Sequence, residues 1–172
     1  MSAPPPQNTF AEIDRLYRDA RVVKRAHFMA QERKKQNNLI FGAMIIIINS
    51  FISANIIGLF AGTSTTDAAV KILAFIATVF ATLQTFFNFS KDIQSHLAAG
   101  NVYASIERRT SDLLAECKDN LLSQADCRTQ FDALTAEFLK ANTENQNCVP
   151  SNADYAKTRK EIKAQESIQA VQ

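Results

Sequence analysis

Two long runs without a charged side chain lie close together in the middle of this chain, and they constrain its fold more than any other feature. The first extends from Leu39 to Phe60 and the second from Ile72 to Ser90. An α-helix rises about 1.5 Å per residue, so about 20 apolar residues cross the hydrocarbon core of a bilayer. Both runs have roughly that length. The sequence therefore predicts an all-α membrane protein built on a two-span transmembrane helical hairpin.

The polar residues on either side of the hairpin predict helical extensions, because neither flank is long enough to bury a comfortable core of its own. Turn and capping signals divide these flanks further. The predicted organisation is a disordered tail (1–8), an N-terminal cytoplasmic amphipathic helix (9–38), transmembrane helix 1 (39–60), a short external connector (61–67), transmembrane helix 2 (68–90), a cytoplasmic helix continuing from span 2 (91–122), a second cytoplasmic helix (123–142), and a polar loop with a short C-terminal helix (143–172).

Apolar residues recur with helical spacing in three of the polar segments. Thr9 with Glu12 fits a capping box and predicts a helix start at Phe10, while Ser123 with Asp126 predicts a second start. The three stripes are Phe10, Ile13, Tyr17, Ala20 and Val23; Ile106, Thr110, Leu113, Cys117 and Leu121; and Cys127, Phe131, Leu134, Phe138 and Ala141. Because each stripe needs an apolar partner, the three helices are expected to form a cytoplasmic bundle.

The second span is expected to continue unbroken into the cytoplasmic helix, since neither a proline nor an obvious turn appears between Ser90 and Pro150. Gly100 followed by Asn101 is the one place where this helix can bend. The sequence alone leaves open whether it does.

The distribution of positive charge predicts the orientation in the membrane. Six Lys or Arg residues lie between Arg21 and Lys35, whereas Asp67 and Lys71 are the charged residues near the connector. Because Lys and Arg near span ends stay on the cytoplasmic side, both termini are expected to be cytoplasmic. The net charge of +2 gives no indication of a nucleic-acid partner.

No pattern that supports catalysis, cofactor binding or metal binding is found in the polar segments. His27 and His96 are far apart and neither has a metal-ligand spacing such as H-E-x-x-H. The three cysteines lack a C-x-x-C pair, and on the cytoplasmic side they are expected to be reduced thiols at packing positions. We therefore predict no catalytic residues, no cofactor, no metal and no enzymatic activity.

One face of the second span is small and polar. On a helical wheel the bulky residues Ile72, Ile76, Val79, Leu83, Phe86 and Phe87 lie opposite it and are expected to face lipid. The candidate pore-lining residues on the polar face are Ala74, Thr78, Ala81, Thr82, Thr85 and Asn88. If the helix is unbroken, the candidate pore mouths on the same face are Asp67, Lys71, Asp92 and His96. Such a face can line an ion path in an oligomer, or it can let membrane helices pack closely, and both interpretations stay open.

Gly42, Asn49 and Ser53 share a face of the first span. An amide near the middle of a bilayer is unfavourable unless it is paired, so this face is expected to make interhelical contacts. A second contribution to a pore is the alternative.

These features together resemble the SLATT family of small bacterial proteins with two membrane spans. The resemblance covers about Phe10 to Leu122: a basic amphipathic helix ending in residues 32–35, two spans with a short connector, and a cytoplasmic helix. Residues 96–103, followed by Ile106 and the Arg108-Arg109 pair, are similar to the family's segment after the second span.

The resemblance implies an oligomeric effector of bacterial defence in the lipid bilayer of the inner membrane. An upstream sensor protein or a nucleotide signal would trigger it to open pores or disrupt the membrane, which halts the infected cell. Two alternatives remain at this stage. One is a membrane anchor or scaffold that does not conduct and recruits a cytoplasmic partner, and the other is a holin-like lysis protein.

Overall fold

The computed structural model describes residues 7–53, 63–86 and 88–169, and these residues form five α-helices. They are α1 (Gln7–Ser53), α2 (Thr63–Phe86), α3 (Phe89–Lys118), α4 (Gln124–Glu144) and α5 (Asn152–Gln169). No strand occurs in these ranges, so the all-α prediction is confirmed. Most of the predicted tail and part of the predicted connector lie outside the described residues.

The chain divides into two compact units. Residues Met1–Gln31 and Gln94–Gln172 form one unit, which we call the bundle unit. Residues Glu32–Ile93 form the other, which we call the hairpin unit.

The core of the bundle unit is built largely from the predicted apolar stripes. Burying one leucine or isoleucine side chain contributes about 1.5–3 kcal/mol, so the shared core is the main stabilising term for α1, α3 and α4. Its two buried clusters are Ile13, Leu16, Leu113, Cys117, Cys127 and Leu134, and Ala20, Ala99, Tyr103, Ile106 and Ala141.

Two residues of the predicted stripes are not buried in this core. Leu16 is buried where Tyr17 was expected, and Tyr17 is only half-buried. Leu121 is 72% exposed, because α3 ends at Lys118 and the backbone then turns through Asn120 at a φ of 56°. Asparagine is one of the few residues with a side chain that tolerates this left-handed conformation.

The predicted start of α4 is confirmed, whereas that of α1 is wrong. Ser123 is the N-cap of α4, and its hydroxyl oxygen accepts a hydrogen bond from the backbone N–H of Asp126 at 3.2 Å. α1 begins at Gln7, so Thr9 lies inside the helix and does not cap it. The expectation of a start at Phe10 gave too much weight to a two-residue motif.

α5 is attached to α1 through ion pairs. Arg25 contacts the Glu161 carboxylate at 2.8 Å, and Arg21 contacts Glu166 at 3.5 Å. Such partly exposed pairs contribute at most about 1 kcal/mol each.

α3 passes through Gly100 without a break, which resolves the question that the sequence left open. The glycine allows close packing of α1 against α3 instead. A Cβ atom at this position would lie 2.7 Å from Cε1 of Phe28, well inside van der Waals contact. Gly100 is therefore required by the helix contact and not by a bend.

The break in the long helix lies earlier, at Asn88, so the expectation of an unbroken passage from span 2 is wrong. α2 ends at Phe86, and Asn88 has a φ of 41°. Its N–H donates to the Thr85 carbonyl at 3.3 Å, and its carbonyl accepts from the Lys91 N–H at 3.0 Å. One asparagine thus ends α2 and starts α3, with neither proline nor glycine to signal it.

Cys117 and Cys127 form a disulfide, which corrects the expectation of reduced thiols. The bond joins the end of α3 to the start of α4, and both cysteines are fully buried in the core of the bundle unit. Cys148 takes no part in this disulfide and is half-buried.

Candidate functional site

The hairpin unit contains an antiparallel pair of helices, formed by the second part of α1 and by α2. The Gln84 amide donates to Asn38 Oδ1 at 2.9 Å, and the rings of Phe41 and Phe80 lie 5.6 Å apart. Gly42 lies beside the same amide, since a Cβ there would be 3.8 Å from Nε2 of Gln84. Contacts that pair later residues of α1 with earlier residues of α2 define the antiparallel arrangement.

Large apolar side chains cover the outer surface of this helix pair. Among the described residues, one helical stretch, taken from Asp67 to Lys118 across the turn at Asn88, is long and apolar enough to cross a membrane, and almost none of its most apolar part is buried. The core helix of a soluble protein would be mostly buried. On α1, Leu39, Ile40 and Ile46 are also more than half exposed. Exposed large apolar side chains on both helices are typical of a surface that lipid or protein covers.

The small polar face of α2 is not the face that packs against α1. Ala77 is buried, and Phe80 and Gln84 beside it are half-buried against the partner helix. All six candidate pore-lining residues are exposed, namely Ala74, Thr78, Ala81, Thr82, Thr85 and Asn88. Four of them, Thr78, Ala81, Thr82 and Thr85, line a shallow concavity of about 570 Å³.

The bulky face is divided between two environments. Ile72 and Val79 are exposed as predicted, but Ile76 and Leu83 are half-buried. The prediction that this entire face meets lipid is therefore only partly correct, because α1 covers one side of it. The side chains of Phe86 and Phe87 lie outside the described residues.

Each threonine hydroxyl on the polar face is bonded to its own helix. Thr78 donates to the Ala74 carbonyl at 2.8 Å, Thr82 to the Thr78 carbonyl at 2.8 Å, and Thr85 to the Ala81 carbonyl at 3.0 Å. Since the proton of each hydroxyl points to the backbone, the oxygen presents lone pairs to its surroundings. The face is thus a row of acceptor oxygens separated by methyl groups.

The four candidate mouth residues differ in their surroundings. Asp67 and Lys71 are exposed on α2, while Asp92 forms an ion pair with Lys34 at 2.5 Å. His96 is buried beside His27. The condition of an unbroken helix is not met, because the backbone turns at Asn88.

The residues predicted to make interhelical contacts on the first span also differ in their surroundings. Gly42 contacts α2, whereas Asn49 is exposed in the single chain. The side chain of Ser53 lies outside the described residues. Sequence analysis missed the bond between Asn38 and Gln84, although a lone glutamine inside an apolar span is a signal that an amide partner is needed.

A cluster of His27, His96 and Cys148 in the bundle unit was not predicted from the sequence. The Nδ1 atoms of the two histidines lie 3.2 Å apart, although the residues are separated by 69 positions. One ligand atom from each of the three residues lies within 4.8 Å of the others. Helical spacing was the available signal, since His27 continues the register of Ile13 and Ala20.

Aromatic packing fixes the His27 ring. The ring of Tyr103 is stacked on it at 5.4 Å, and the Tyr103 hydroxyl donates to Asn142 Oδ1 at 2.7 Å. Burial, reinforced by His96, lowers the pKa of His27 from 6.5 to about 4, so this imidazole is neutral at physiological pH. Burial likewise raises the pKa of Tyr103 to about 12.

Comparison with protein families identifies one match over nearly the whole chain. The model of SMODS and SLOG-associating 2TM effector domain family 4 matches residues 13–172. The predicted resemblance to SLATT proteins is thereby confirmed. Searches of curated proteins and of solved structures found no match.

Proposed function

Because this chain belongs to the SMODS and SLOG-associating 2TM effector family, we propose that it crosses the bacterial inner membrane twice, assembles with copies of itself and opens a pore. The spans are the apolar part of α1 and α2. Both termini are cytoplasmic, since the Lys and Arg residues before the first span outnumber those near the connector. An upstream sensor or a nucleotide signal triggers opening, which halts the infected cell.

The observation that carries this proposal is that α1 leaves the threonine face of α2 uncovered. Thr78, Thr82 and Thr85 are exposed, while α1 packs on a different side of α2. In a lone hairpin these polar side chains would lie against lipid tails, where close packing of small residues is lost. Assembly removes that mismatch by turning the α2 helices of several copies toward one another.

The chemistry of the face suits an ion path. A row of hydroxyl oxygens with outward lone pairs replaces part of the hydration shell of a cation, and alanine keeps the lining narrow. Asp67 and Lys71 follow the same register at one end of α2 and are exposed there. Since acceptor oxygens outnumber donors along the face, we expect cations to be preferred over anions.

A second candidate function is a membrane anchor that recruits a partner protein without conducting ions. The observation that favours it is the exposure of Leu121 and Leu139 on the bundle unit, at 72% and 58%. Scattered apolar residues of this kind are common on ordinary surfaces, so they support the anchor less strongly than the threonine face supports a pore.

Reconstitution separates the two functions. The purified chain is placed in liposomes loaded with a potassium-sensitive dye, and its mass in mild detergent is measured in parallel. The pore proposal expects a homo-oligomer and potassium flux. A homo-oligomer without flux under the triggering signal favours the anchor, and a strictly monomeric chain excludes a pore lined by several α2 helices.

A further inference from the structure

We propose that His27, His96 and Cys148 form a binding site for one divalent transition-metal ion, and that Zn²⁺ is the ion that fits this ligand set best. The site lies within the bundle unit and is made by α1, α3 and the loop between α4 and α5. It does not depend on pore formation. A chain that never conducts would still bind the metal.

The distance between the two histidines matches that of two ligands on one zinc ion. Nitrogen ligands lie about 2.0–2.1 Å from zinc, so two of them at a tetrahedral angle are about 3.3 Å apart. The Nδ1 atoms of His27 and His96 are 3.2 Å apart. The two ring nitrogens therefore already lie at the separation that a shared ion requires.

Cys148 supplies the third ligand of the tetrahedral site. A thiolate about 2.3 Å from zinc lies about 3.6 Å from each nitrogen ligand. The ligand atoms of the three residues lie within 4.8 Å of one another, so each sulfur–nitrogen distance has to shorten by about 1 Å at most. Cys148 lies in a loop and is half-buried, so its sulfur has to move toward the two histidines when the ion binds. Three protein ligands leave the fourth tetrahedral position to water.

The ligand set selects the class of metal. Imidazole and thiolate bind zinc and other late transition ions, whereas magnesium and calcium prefer oxygen ligands. Two neutral imidazoles and one thiolate leave a net charge of +1 on a zinc complex, so the thiolate offsets part of the ion's charge beside the two buried imidazoles. Magnesium therefore serves as the negative control for metal binding.

Surrounding contacts hold the ligands in place before any metal arrives. Tyr103 stacks on His27 and is itself fixed by Asn142. The backbone N–H of Cys148 donates to the Asn145 carbonyl at 2.9 Å, and Asn145 caps α4. Ordered outer contacts of this kind orient ligands and strengthen metal binding.

Metal binding at this site depends on pH, because a thiol ligand must release its proton before it binds the ion. Cys148 releases one proton when its thiolate binds, which means that the apparent affinity rises with pH. In the metal-free chain the same two Nδ1 atoms share a hydrogen bond, which the ion replaces.

Cobalt is the probe for the site, since Co²⁺ occupies zinc sites and its bond to a thiolate absorbs in the near ultraviolet. The full chain in detergent, reduced at Cys148 and freed of metal, is titrated with Co²⁺ and then with Zn²⁺. The proposal expects one Co²⁺ per chain with a sulfur charge-transfer band, displacement by Zn²⁺, and no displacement by Mg²⁺.

Variants identify the ligands. Cys148→Ser should abolish the charge-transfer band, because it removes the sulfur ligand. Cys148→Ser and His27→Gln should each weaken Zn²⁺ binding at least about tenfold. Asn147→Ser is the matched control, because it changes the neighbouring exposed position of the same loop and keeps all three ligands. Circular dichroism checks that each variant keeps its helices. The site does not exist if the wild-type chain binds no Co²⁺, or if Cys148→Ser and Asn147→Ser bind it equally.

Discussion

The ring of Phe28 on α1 occupies the space that a side chain at Gly100 on α3 would need. Three ring atoms of Phe28 lie 2.7–3.1 Å from the position of a Cβ at Gly100. The close approach of α1 and α3 near the histidine cluster therefore depends on a glycine at this position.

Gly100→Ala should destabilise the bundle unit. Alanine improves helix propensity by up to about 1 kcal/mol, but overpacking costs about 1–3 kcal/mol, so a net loss of about 1 kcal/mol is expected. Thermal unfolding followed by circular dichroism measures it. Asn101→Ala, at the exposed neighbouring position, should not destabilise. Phe28→Ala removes the ring, so Gly100→Ala should no longer destabilise the chain when both changes are present. If Gly100→Ala costs the same stability with and without the Phe28 ring, the contact is not the cause of the loss.

Acidification should destabilise the metal-free chain through His27. Its pKa in the folded state is about 4, below the ordinary value of 6.5. Between these two pH values the unfolded state binds more protons, so stability is lost as the pH falls below about 6.5. The expected loss from this group is about 2 kcal/mol at pH 5.

Melting curves from pH 7.5 to 5 on the wild type and on His27→Gln test this effect, because the titrating groups away from the His27–His96 contact are common to both. The wild type should lose more stability than the variant across this range. Parallel pH profiles would show that His27 does not titrate as described.

Reduction of the Cys117–Cys127 disulfide should also destabilise the bundle unit. The bond closes a loop over a sequence separation of 10, for which chain entropy predicts about 3 kcal/mol. Unfolding is compared with and without a phosphine reductant. The double variant Cys117→Ser with Cys127→Ser serves as the reference that has no bond to reduce. A wild-type chain that is insensitive to reductant would mean that the bond is absent or without effect.

The extent to which sequence predicted the structure depended on how local each signal was. The stripe from Ile13 to Ala20 was predictable because helical spacing within one segment defines a buried face. The His27 and His96 pair was not, since it depends on how α1 and α3 align over 69 residues. Asn88 carries no strong breaker signal, so the break between α2 and α3 had to come from the structure.

The orientation in the membrane is tested by labelling. A cysteine introduced as Ser64→Cys, within the predicted connector (61–67), should react with an impermeant maleimide added to intact cells. The native thiol of Cys148 should react only after the membrane is permeabilised, because the bundle unit is predicted to be cytoplasmic. The opposite pattern would reverse the topology and place the bundle unit outside the cell.

The central claim is that the threonine face of α2 lines a conducting path, and ion flux through variants in liposomes tests it most directly. Thr78→Leu and Thr85→Leu replace acceptor oxygens with bulkier apolar groups, yet leucine is more favourable in a bilayer, so insertion should persist. Val79→Leu is the matched control on the neighbouring exposed surface. The account predicts normal oligomers with potassium flux lost in both threonine variants and retained in the control. Undiminished flux through normally assembled Thr78→Leu and Thr85→Leu would contradict it.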